Sequence, residues 1–493
     1  MPSSQVPRGK VKLEIESLGT VQGLEFSSGV RQFTGIPYAT LTKRWTRSCL
    51  NTSWPENFHD VTKLGCSAPN PPEYNAPRPD LLVPVALVPH HGTPPEDELN
   101  CLVMSIAVPP VQTRGAAKFP VMVYIHGGSF LYGGANRPVF DGVNFVSHSV
   151  ARNTPVVAVN FNYRVGLGGF LASAAIKSDL ERDGYEGVGN FGLYDQQVAL
   201  QWVNRYIASF GGDPDNITIY GESAGGMSVS HQVAARNPAP FHRAIAMSGH
   251  LNTIPTWSLA QHEKHYRALL TYLGIDPDSP ASLDQLRAVP QDVVAAATLP
   301  VEGVFVATGN PCNDDTILAL YNVTPDLPKS ELVARMEDMM SDSAFKTQNW
   351  LAAHRSQIRQ TFGYHFDEVC THDSPLKGLA YHALDLLYLF LNFDENLTPA
   401  QRALSRKIAN YWIDFSYGKD PWPRISESST WMRFGPDEEC RVVTESEDEA
   451  VRKYSRMQKI LDLGVYQEFF LIIDDIGVKR KRMGTFEWKP PKP

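Results

Sequence analysis

Short runs of β-branched and aromatic residues alternate with helical patterns along the first half of the chain. Three of these runs, at 121–125, 156–161 and 217–220, end in turn residues. Continuous apolar runs of this length are typical of central strands buried on both faces of a mostly parallel sheet. Between the second and third runs, residues 189–210 carry apolar side chains at helical spacing. This alternation of strand and helix predicts an α/β fold with crossover connections.

Helical patterns dominate the second half of the chain, after the predicted core strands. We expect cap-like helical insertions over 257–361 and a further helix over 398–417. A proline-rich stretch at 68–95 predicts a long loop. The acidic run at 445–449 predicts a solvated face. No internal repeat or low-complexity segment is present, and the length of 493 residues allows two to four domains or one large α/β domain with insertions.

The composition is that of an ordinary globular chain. Of the 493 residues, 43% are hydrophobic and 20% are charged, which excludes wholesale disorder. The net charge of −8 is the opposite of the positive excess that nucleic-acid-binding proteins carry, so no nucleic-acid partner is predicted. The longest apolar runs, such as 81–88, fall far short of the roughly 20 residues that a bilayer span requires. No membrane span is therefore predicted.

The number of cysteines and the N-terminal sequence indicate the cellular compartment in which the protein is expected. Six cysteines in 493 residues are too sparse for a disulfide scaffold, and no Cys-x-x-Cys pair indicates zinc. The chain reaches Leu13 without the apolar core of a secretory signal, so we expect a cytoplasmic protein. A secreted precursor is the minority alternative, because four glycosylation sequons occur, at Asn51, Asn216, Asn322 and Asn396.

One candidate nucleophile stands in a short glycine-flanked motif. Residues Gly221-Glu222-Ser223-Ala224-Gly225 match G-x-S-x-G, although with 36 glycines chance alone gives about 0.2 such matches in this length. The context is more specific, because a predicted strand precedes the motif and a helix-competent segment, 227–235, follows it. A sharp strand-to-helix turn of this kind exposes the serine oxygen above the sheet. We therefore predict that Ser223 is the nucleophile of acyl transfer.

A second motif complements the first chemically. His126-Gly127-Gly128-Ser129-Phe130 follows the strand predicted at 121–125, as does the loop that supplies oxyanion-hole amides in esterases and lipases. Glycine allows the amides to approach a developing negative charge without an intervening Cβ. The predicted donors are the backbone N–H groups of Gly127, Gly128 and Ala224. One such donor is worth roughly 3–4 kcal/mol of barrier.

Ordered motifs from residue 19 to residue 422 resemble the type-B carboxylesterases. These are the α/β-hydrolases that include cholinesterases, fungal lipases and para-nitrobenzyl esterases, and the fungal intracellular members are the most similar in character. The resemblance implies a single domain of the α/β-hydrolase fold over residues 1–493, with helical insertions around the active-site entrance. The matching segments are Gly19-Thr-Val-Gln-Gly23, Phe33-Thr-Gly-Ile-Pro-Tyr-Ala39, Asn162-Tyr-Arg-Val165, Gly189-Asn-Phe-Gly-Leu-Tyr-Asp-Gln-Gln197, Ala199-Leu-Gln-Trp-Val203, Phe210-Gly-Gly-Asp-Pro214 and Gly221-Glu-Ser-Ala-Gly225.

The resemblance also implies the acid of a catalytic triad. The family places it in a Gly-x-x-x-x-Glu-Gly segment after a strand, and here a strand at 304–308 precedes a loop that begins at Gly309. We therefore expect the helical insertions to be interrupted by an acid-bearing strand and loop at 303–316. Asp314 takes the acid position and Asp315 replaces the following glycine, which leaves Asp315 as the alternative acid.

The general base should follow the acid, since the triad order in this fold is serine, acid, histidine. The segment that begins at Gly378 and contains His382 resembles the family's base-bearing loop, which leads into a helix. His382 is the predicted base, and it would take the proton of Ser223 while Asp314 fixes its tautomer.

The resemblance further implies a disulfide between Cys66 and Cys101, which would close an entrance loop over 66–101. In a reducing compartment the two residues can remain thiols, so their position and their redox state are separate questions. The loop contains the apolar stretch 81–88, which would be costly if it were fully solvated. We hypothesise that this stretch lines the entrance and selects lipophilic acyl or alcohol groups; the alternative is simple packing against the body.

The predicted function is a serine esterase, free of metal and cofactor, that hydrolyses carboxylic esters of lipophilic small molecules. Within the same chemistry, acyl transfer or lactonisation in small-molecule biosynthesis, as in secondary metabolism, is the alternative. A third possibility is a non-catalytic adhesion or scaffold protein of the same fold. The presence of Ser223, His382 and an acid argues against it. Apart from the ester substrate no partner is predicted, and the oligomeric state is left open.

Overall fold

The protein divides into two compact units. The first comprises Met1–Met247, Trp257–Leu299 and His382–Pro421, and the second comprises Ser248–Thr256, Pro300–Tyr381 and Trp422–Pro493. The structure, a computed structural model, describes residues 6–72, 94–110, 118–251, 253–254, 256–302, 314–358, 360–373, 376–467, 469–470 and 473.

Strands occur in both units, in a large sheet and two smaller ones. In chain order they are β1 Pro7–Ile15, β2 Gly19–Phe26, β3 Arg31–Pro37, β4 Ala39–Thr40, β5 Cys49–Leu50, β6 Phe58–Asp60, β7 Val103–Val108, β8 Phe119–Ile125, β9 Val157–Phe161, β10 Gly212–Glu222, β11 Arg243–Met247, β12 Gly363–Phe366, β13 Thr430–Phe434 and β14 Cys440–Thr444.

Helices lie between and after the core strands, and they outnumber strands in the described second half of the chain. They are α1 Val143–Ala151, α2 Gly166–Phe170, α3 Ala174–Arg182, α4 Phe191–Tyr206, α5 Ala224–Val233, α6 Leu259–Tyr272, α7 Ser282–Ala288, α8 Gln291–Ala296, α9 Thr298–Glu302, α10 Asp314–Leu320, α11 Lys329–Ser341, α12 Thr347–Arg355, α13 Asp385–Leu389, α14 Pro399–Ser416, α15 Ile425–Ser428, α16 Glu445–Arg452 and α17 Tyr454–Asp462. Short 3₁₀ or π turns lie at Pro138–Phe140, Ile207–Phe210, Asp342–Lys346 and Asp394–Asn396.

The large sheet of the first unit is mixed, with its parallel part around the predicted core strands. Its order is β1-β2-β3-β7-β9-β8-β10-β11, with β6 beside β2. The strands β9, β8, β10 and β11 run parallel, whereas β1, β2, β3, β7 and β9 pair antiparallel in succession. The three runs that predicted buried central strands are therefore confirmed as β8, β9 and the end of β10.

Burial explains why these runs are continuously apolar. Every residue of β9 is buried, and so are all residues of β8 after its first. Helices α4 and α5 both contact β10, as crossover connections require. In the register of the sheet, Gly221 of β10 lies opposite Ile125 of β8. Because parallel strands end at the same edge, the segments that follow these two residues start side by side.

The second unit carries a small sheet, β12-β13-β14, that the sequence analysis did not predict. Strand β13 pairs parallel with β12 and antiparallel with β14. Beside it lies α16, where the acidic run was expected to be a solvated face. That expectation is wrong for Asp448, whose side chain is buried against Arg452 at 3.1 Å. It is also wrong for Glu445, whose Oε1 accepts hydrogen bonds from two indole N–H groups.

The predictions about the entrance loop and the acid segment can be compared with the structure only in part. The apolar stretch 81–88 and the strand predicted at 304–308 lie outside them. Cys66 and Cys101 are both free thiols, and the Cys101 Sγ donates to the carbonyl oxygen of Glu98 at 3.6 Å. The implied disulfide is therefore not formed in this structure. Within the described part of the chain, no helix is both long and apolar enough to cross a membrane.

Candidate active site

Ser223 is the single residue between the end of β10 and the start of α5. Its backbone has φ 58° and ψ −124°, a conformation that non-glycine residues rarely adopt and that costs of order 1–3 kcal/mol. The turn is held on both sides, because the Ser223 N–H donates to the Met247 carbonyl and the Met227 N–H donates to the Ser223 carbonyl, each at 2.9 Å. The side chain of Ser223 is partly exposed, while its neighbours Glu222 and Ala224 are buried. The strand, sharp turn and helix expected of the motif are thus present.

The two glycines of the motif are required by close packing inside the turn. A Cβ at Gly221 would lie 2.6 Å from the backbone of Gly225 and 2.7 Å from the Ile125 carbonyl oxygen. A Cβ at Gly225 would overlap the same oxygen. Helix α5 therefore starts in direct contact with the end of β8. Any side chain at either position would push the nucleophile turn away from the adjacent strand.

The predicted oxyanion loop begins where β8 ends and lies directly against Ser223. A Cβ at Gly127 would lie 3.0 Å from the Ser223 Cβ and 2.6 Å from the Glu222 carbonyl oxygen. The next three residues, Gly128, Ser129 and Phe130, all have positive φ, at 117°, 56° and 61°. Such a run of left-handed residues turns the loop sharply. The structure thus brings Gly127 and Ser223 together, as the two motifs predict.

His382 lies in the turn immediately before α13, as expected for the base-bearing loop. Its Nε2 is 3.1 Å from Glu222 Oε1, so the imidazole reaches the residue that precedes Ser223. The His382 side chain is 44% exposed and that of Glu222 is 5% exposed. Although part of the ring meets solvent, desolvation by the surrounding protein lowers the pKa of His382 to about 4. A ring with this pKa is neutral at pH 7, the state that a general base requires.

Two buried carboxyl groups next to His382 were missed by the sequence analysis. Burial raises the pKa of Glu222 well above its usual range, and the nearby charge of Asp385 raises it further. Burial likewise raises the pKa of Asp385 to about 7. These directions favour a protonated, neutral Glu222, so its 3.1 Å contact with the neutral imidazole of His382 is not an ion pair, and the Glu222 Oε1 atom makes no hydrogen bond of normal geometry there. The available signals were a carboxylate inside the nucleophile motif and another three residues after His382.

The predicted acid lies at the first residue of α10, in the second unit. The loop that was expected over 303–316 is thus helical from Asp314 onward. The side chains of Asp314 and Asp315 are outside the described structure, as are residues 303–313. Both remain predictions. Elsewhere in the described residues, no group of three or more His, Cys, Asp or Glu side chains could hold a metal ion.

A model of the carboxylesterase family matches residues 9–322 and 310–461, almost the whole chain. The chain belongs to this family. It is thus a carboxylic ester hydrolase by family, which confirms the family and the enzyme class that the motifs predicted. The match includes the elbow at Ser223, the loop at Gly127 and the segment of His382.

Individual relatives cover most of this carboxylesterase-family chain. The para-nitrobenzyl esterase of Bacillus subtilis is 28% identical over 497 residues, which cover 87% of this chain and 94% of that protein. Lipase 1 of Yarrowia lipolytica is 26% identical over 455 residues, which cover 82% and 87% respectively. A solved structure of a PNB esterase aligns at a TM-score of 0.69 and 24% identity, covering 90% of this chain and 99% of its own. This structural match confirms the predicted α/β-hydrolase fold.

Proposed function

We propose that this chain is a serine esterase that hydrolyses carboxylic esters of lipophilic small molecules through an acyl-enzyme on Ser223. The observation that carries the proposal is the strained elbow at Ser223, which packs against Gly127 while His382 contacts the adjacent Glu222. A strained, partly exposed serine beside a glycine loop, with a neutral imidazole in contact with the preceding residue, fits the nucleophile and base of acyl transfer. The lipophilic substrate class is supported by the name of one relative, Lipase 1 of Yarrowia lipolytica.

The proposed mechanism assigns one role to each group. The Ser223 oxygen attacks the ester carbonyl while His382 takes its proton, and Asp314 holds the imidazole in the productive tautomer. The N–H groups of Gly127, Gly128 and Ala224 stabilise the oxyanion of the tetrahedral intermediate. His382 then returns the proton to the leaving alcohol, and the acyl group remains on Ser223. Water attacks this ester in the second half-reaction and releases the acid.

Labelling by a fluorophosphonate tests the nucleophile directly. We expect the wild-type chain to be labelled once, on Ser223, and Ser223→Ala to lose both labelling and turnover of p-nitrophenyl butyrate while it still folds. The control is Ser178→Ala, at an exposed position of α3, which should keep both. Labelling at another residue with retained turnover in the Ser223→Ala chain would contradict the assignment.

The identity of the acid can be tested by charge removal at two adjacent positions. A triad acid changed to its amide loses about 10⁴ in turnover because the imidazole presents the wrong tautomer. We expect Asp314→Asn to approach that loss and Asp315→Asn to lose less than about tenfold. The reverse ranking would move the acid by one residue.

Chain-length selection tests the role proposed for the stretch 81–88. If this stretch lines the entrance, Leu81→Ser or Leu87→Ser should lower kcat/KM for long-chain esters and spare acetyl esters. About 0.8 kcal/mol per buried methylene makes a few carbons decisive. Plots of log(kcat/KM) against acyl length that stay parallel to the wild type would show that the stretch only packs against the body.

Hydrolysis and acyl transfer compete at the same acyl-enzyme, so the products distinguish them. An ester panel is offered with and without acceptor alcohols, and the products are identified by mass spectrometry. Free acid as the main product with every acceptor supports the proposed hydrolase. A new ester or lactone as the main product would instead make the chain an acyl-transferring enzyme of small-molecule biosynthesis.

A further inference from the structure

Behind the oxyanion loop, the side chains of His126 and Tyr163 form a buried stacked pair. Their ring centroids are 4.2 Å apart and the rings are inclined by only 13°. Both residues are almost completely buried, with 1% of His126 and none of Tyr163 exposed. The imidazole of His126 plays no part in the proton transfers described above. His126 instead directly precedes Gly127, the first residue of the predicted oxyanion loop.

Each ring anchors one carbonyl group of the loop. The Tyr163 hydroxyl donates to the carbonyl oxygen of His126 at 2.8 Å. The His126 Nδ1 lies 2.9 Å from the carbonyl oxygen of Gly127. A carbonyl oxygen can only accept, so Nδ1 carries the proton in this contact. Two consecutive peptide groups are thus held by their carbonyl ends.

Anchoring these carbonyls also fixes the N–H groups on which the proposed mechanism depends. In a trans peptide the C=O and the following N–H lie in one plane and point in opposite directions. The His126 carbonyl therefore sets the direction of the Gly127 N–H, and the Gly127 carbonyl sets that of the Gly128 N–H. These are two of the three predicted oxyanion donors.

The loop has a physical need for such anchors. Positive φ at Ser129 and Phe130 is costly for residues with a side chain, and it persists only where the surroundings over-determine it. Gly133 closes over the anchor, because a Cβ there would lie 2.5 Å from the Gly127 carbonyl oxygen and 2.8 Å from His126 Nδ1. A residue with a Cβ therefore does not fit at position 133.

The neutral state of His126 is consistent with this role. Its Nε2 is buried and has no hydrogen-bond partner among the described residues, so a second proton would create a buried, unpaired N–H. Burial lowers the pKa of His126 to about 4. The imidazole thus acts as a fixed single donor through Nδ1 over the neutral pH range.

We propose that His126 and Tyr163 are positioning residues that hold the Gly127 and Gly128 amides in the orientation that stabilises the oxyanion. This inference rests on the proposed esterase function. Loss of a complete oxyanion donor costs about 10²–10³ in kcat, and a donor that is only misdirected should cost less. The effect should fall on the transition state and leave ground-state binding of the ester largely unchanged.

The test compares variants that keep the ring with one that keeps the donor. His126→Phe keeps an aromatic ring beside Tyr163 but removes the Nδ1 donor, and Tyr163→Phe removes only the hydroxyl. His126→Asn places an amide N–H near the position of Nδ1. The measurements are kcat and KM for p-nitrophenyl butyrate per fluorophosphonate-labelled site, and Ki for an aryl trifluoromethyl ketone, which binds as a hemiketal oxyanion.

We expect both Phe variants to lose about 10- to 100-fold in kcat and a similar factor in ketone affinity, with KM within about threefold of the wild type. His126→Asn should recover kcat to within about threefold. A merely structural role would lower the fraction of labelled sites without changing these constants per site. If His126→Phe does not fold, Tyr163→Phe provides the same comparison.

Two results would overturn the inference: wild-type kcat and ketone affinity in the Phe variants, or a loss in His126→Asn as large as in His126→Phe. Failure of the proposed function is distinct, because it would appear in the wild-type chain as absence of both ester turnover and labelling. Normal turnover in the wild type with undiminished Phe variants contradicts the positioning role alone.

Discussion

Removing the buried carboxyl group of Asp385 should stabilise the protein at alkaline pH. Asp385 is buried at the start of α13, and neither carboxylate oxygen makes a hydrogen bond of normal geometry, although the nearby N–H groups of residues 385 and 386 offset part of the cost. Burial raises its pKa from 3.8 to about 7. The folded state thus holds a proton that the unfolded state has lost, and stability must fall as the pH rises from about 4 to about 7.

The magnitude follows from the size of this shift. One pKa unit corresponds to about 1.36 kcal/mol. The cost of Asp385 to the free energy of unfolding therefore grows from about 2 kcal/mol at pH 5 to about 4 kcal/mol at pH 8. Asparagine has nearly the same volume and does not titrate. Relative to the wild type, the unfolding free energy of Asp385→Asn should thus rise by about 2 kcal/mol from pH 5 to pH 8. Removing the charge beside Glu222 acts in the same direction.

The assay is urea unfolding of both chains at pH 5 and pH 8, followed by tryptophan fluorescence. The readout is the pH dependence of the difference in unfolding free energy, because any constant effect of the substitution cancels. Asp373→Asn, at an exposed position, is the control and should shift the difference by less than about 0.5 kcal/mol. An equal difference at the two pH values would refute the raised pKa of Asp385.

Three further predictions concern the elbow, the base and the core of the first unit. Gly225→Ala should destabilise the chain by about 3 kcal/mol or more because its Cβ overlaps backbone, whereas Gly168→Ala meets nothing within 4 Å; thermal unfolding compares them. The acid limb of kcat/KM should lie well below pH 6.5, since desolvation lowers the pKa of His382 from 6.5 to about 4; a limb at pH 6.5 or above would contradict this. Asp195→Ala should cost about 3–5 kcal/mol in urea unfolding, because it leaves the buried guanidinium of Arg164, bonded at 2.7 Å, without its partner.

The features that sequence predicted correctly are those written into consecutive residues. Strands buried on both faces, such as β9, must be apolar throughout, and a strand, glycine-flanked serine and helix must be contiguous to form the elbow at Ser223. The loop at Gly127 is similarly local. Such features leave a pattern that needs no knowledge of the rest of the chain.

The features that were missed depend on which distant residues meet. The short strand β12 pairs with β13, more than sixty positions later, and its four residues carry no periodic signal. Asp448 looked solvated because its neighbours are acidic, yet the fold buries it beside Arg452. The carboxyl pair of Glu222 and Asp385 is likewise produced by tertiary proximity, although each residue is close in sequence to a predicted catalytic group.

The register of β8 and β10 links the integrity of the site to that of the central sheet. Ile125 and Gly221 face each other across these strands, and the loop and the elbow begin one and two residues later. Their spacing is thus fixed by backbone pairing, and a slip of one residue would turn one set of groups to the opposite face. Changes in core side-chain volume should leave the catalytic alignment intact as long as the ladder persists. Enzyme activity during heating should consequently be lost no later than the melting of this sheet.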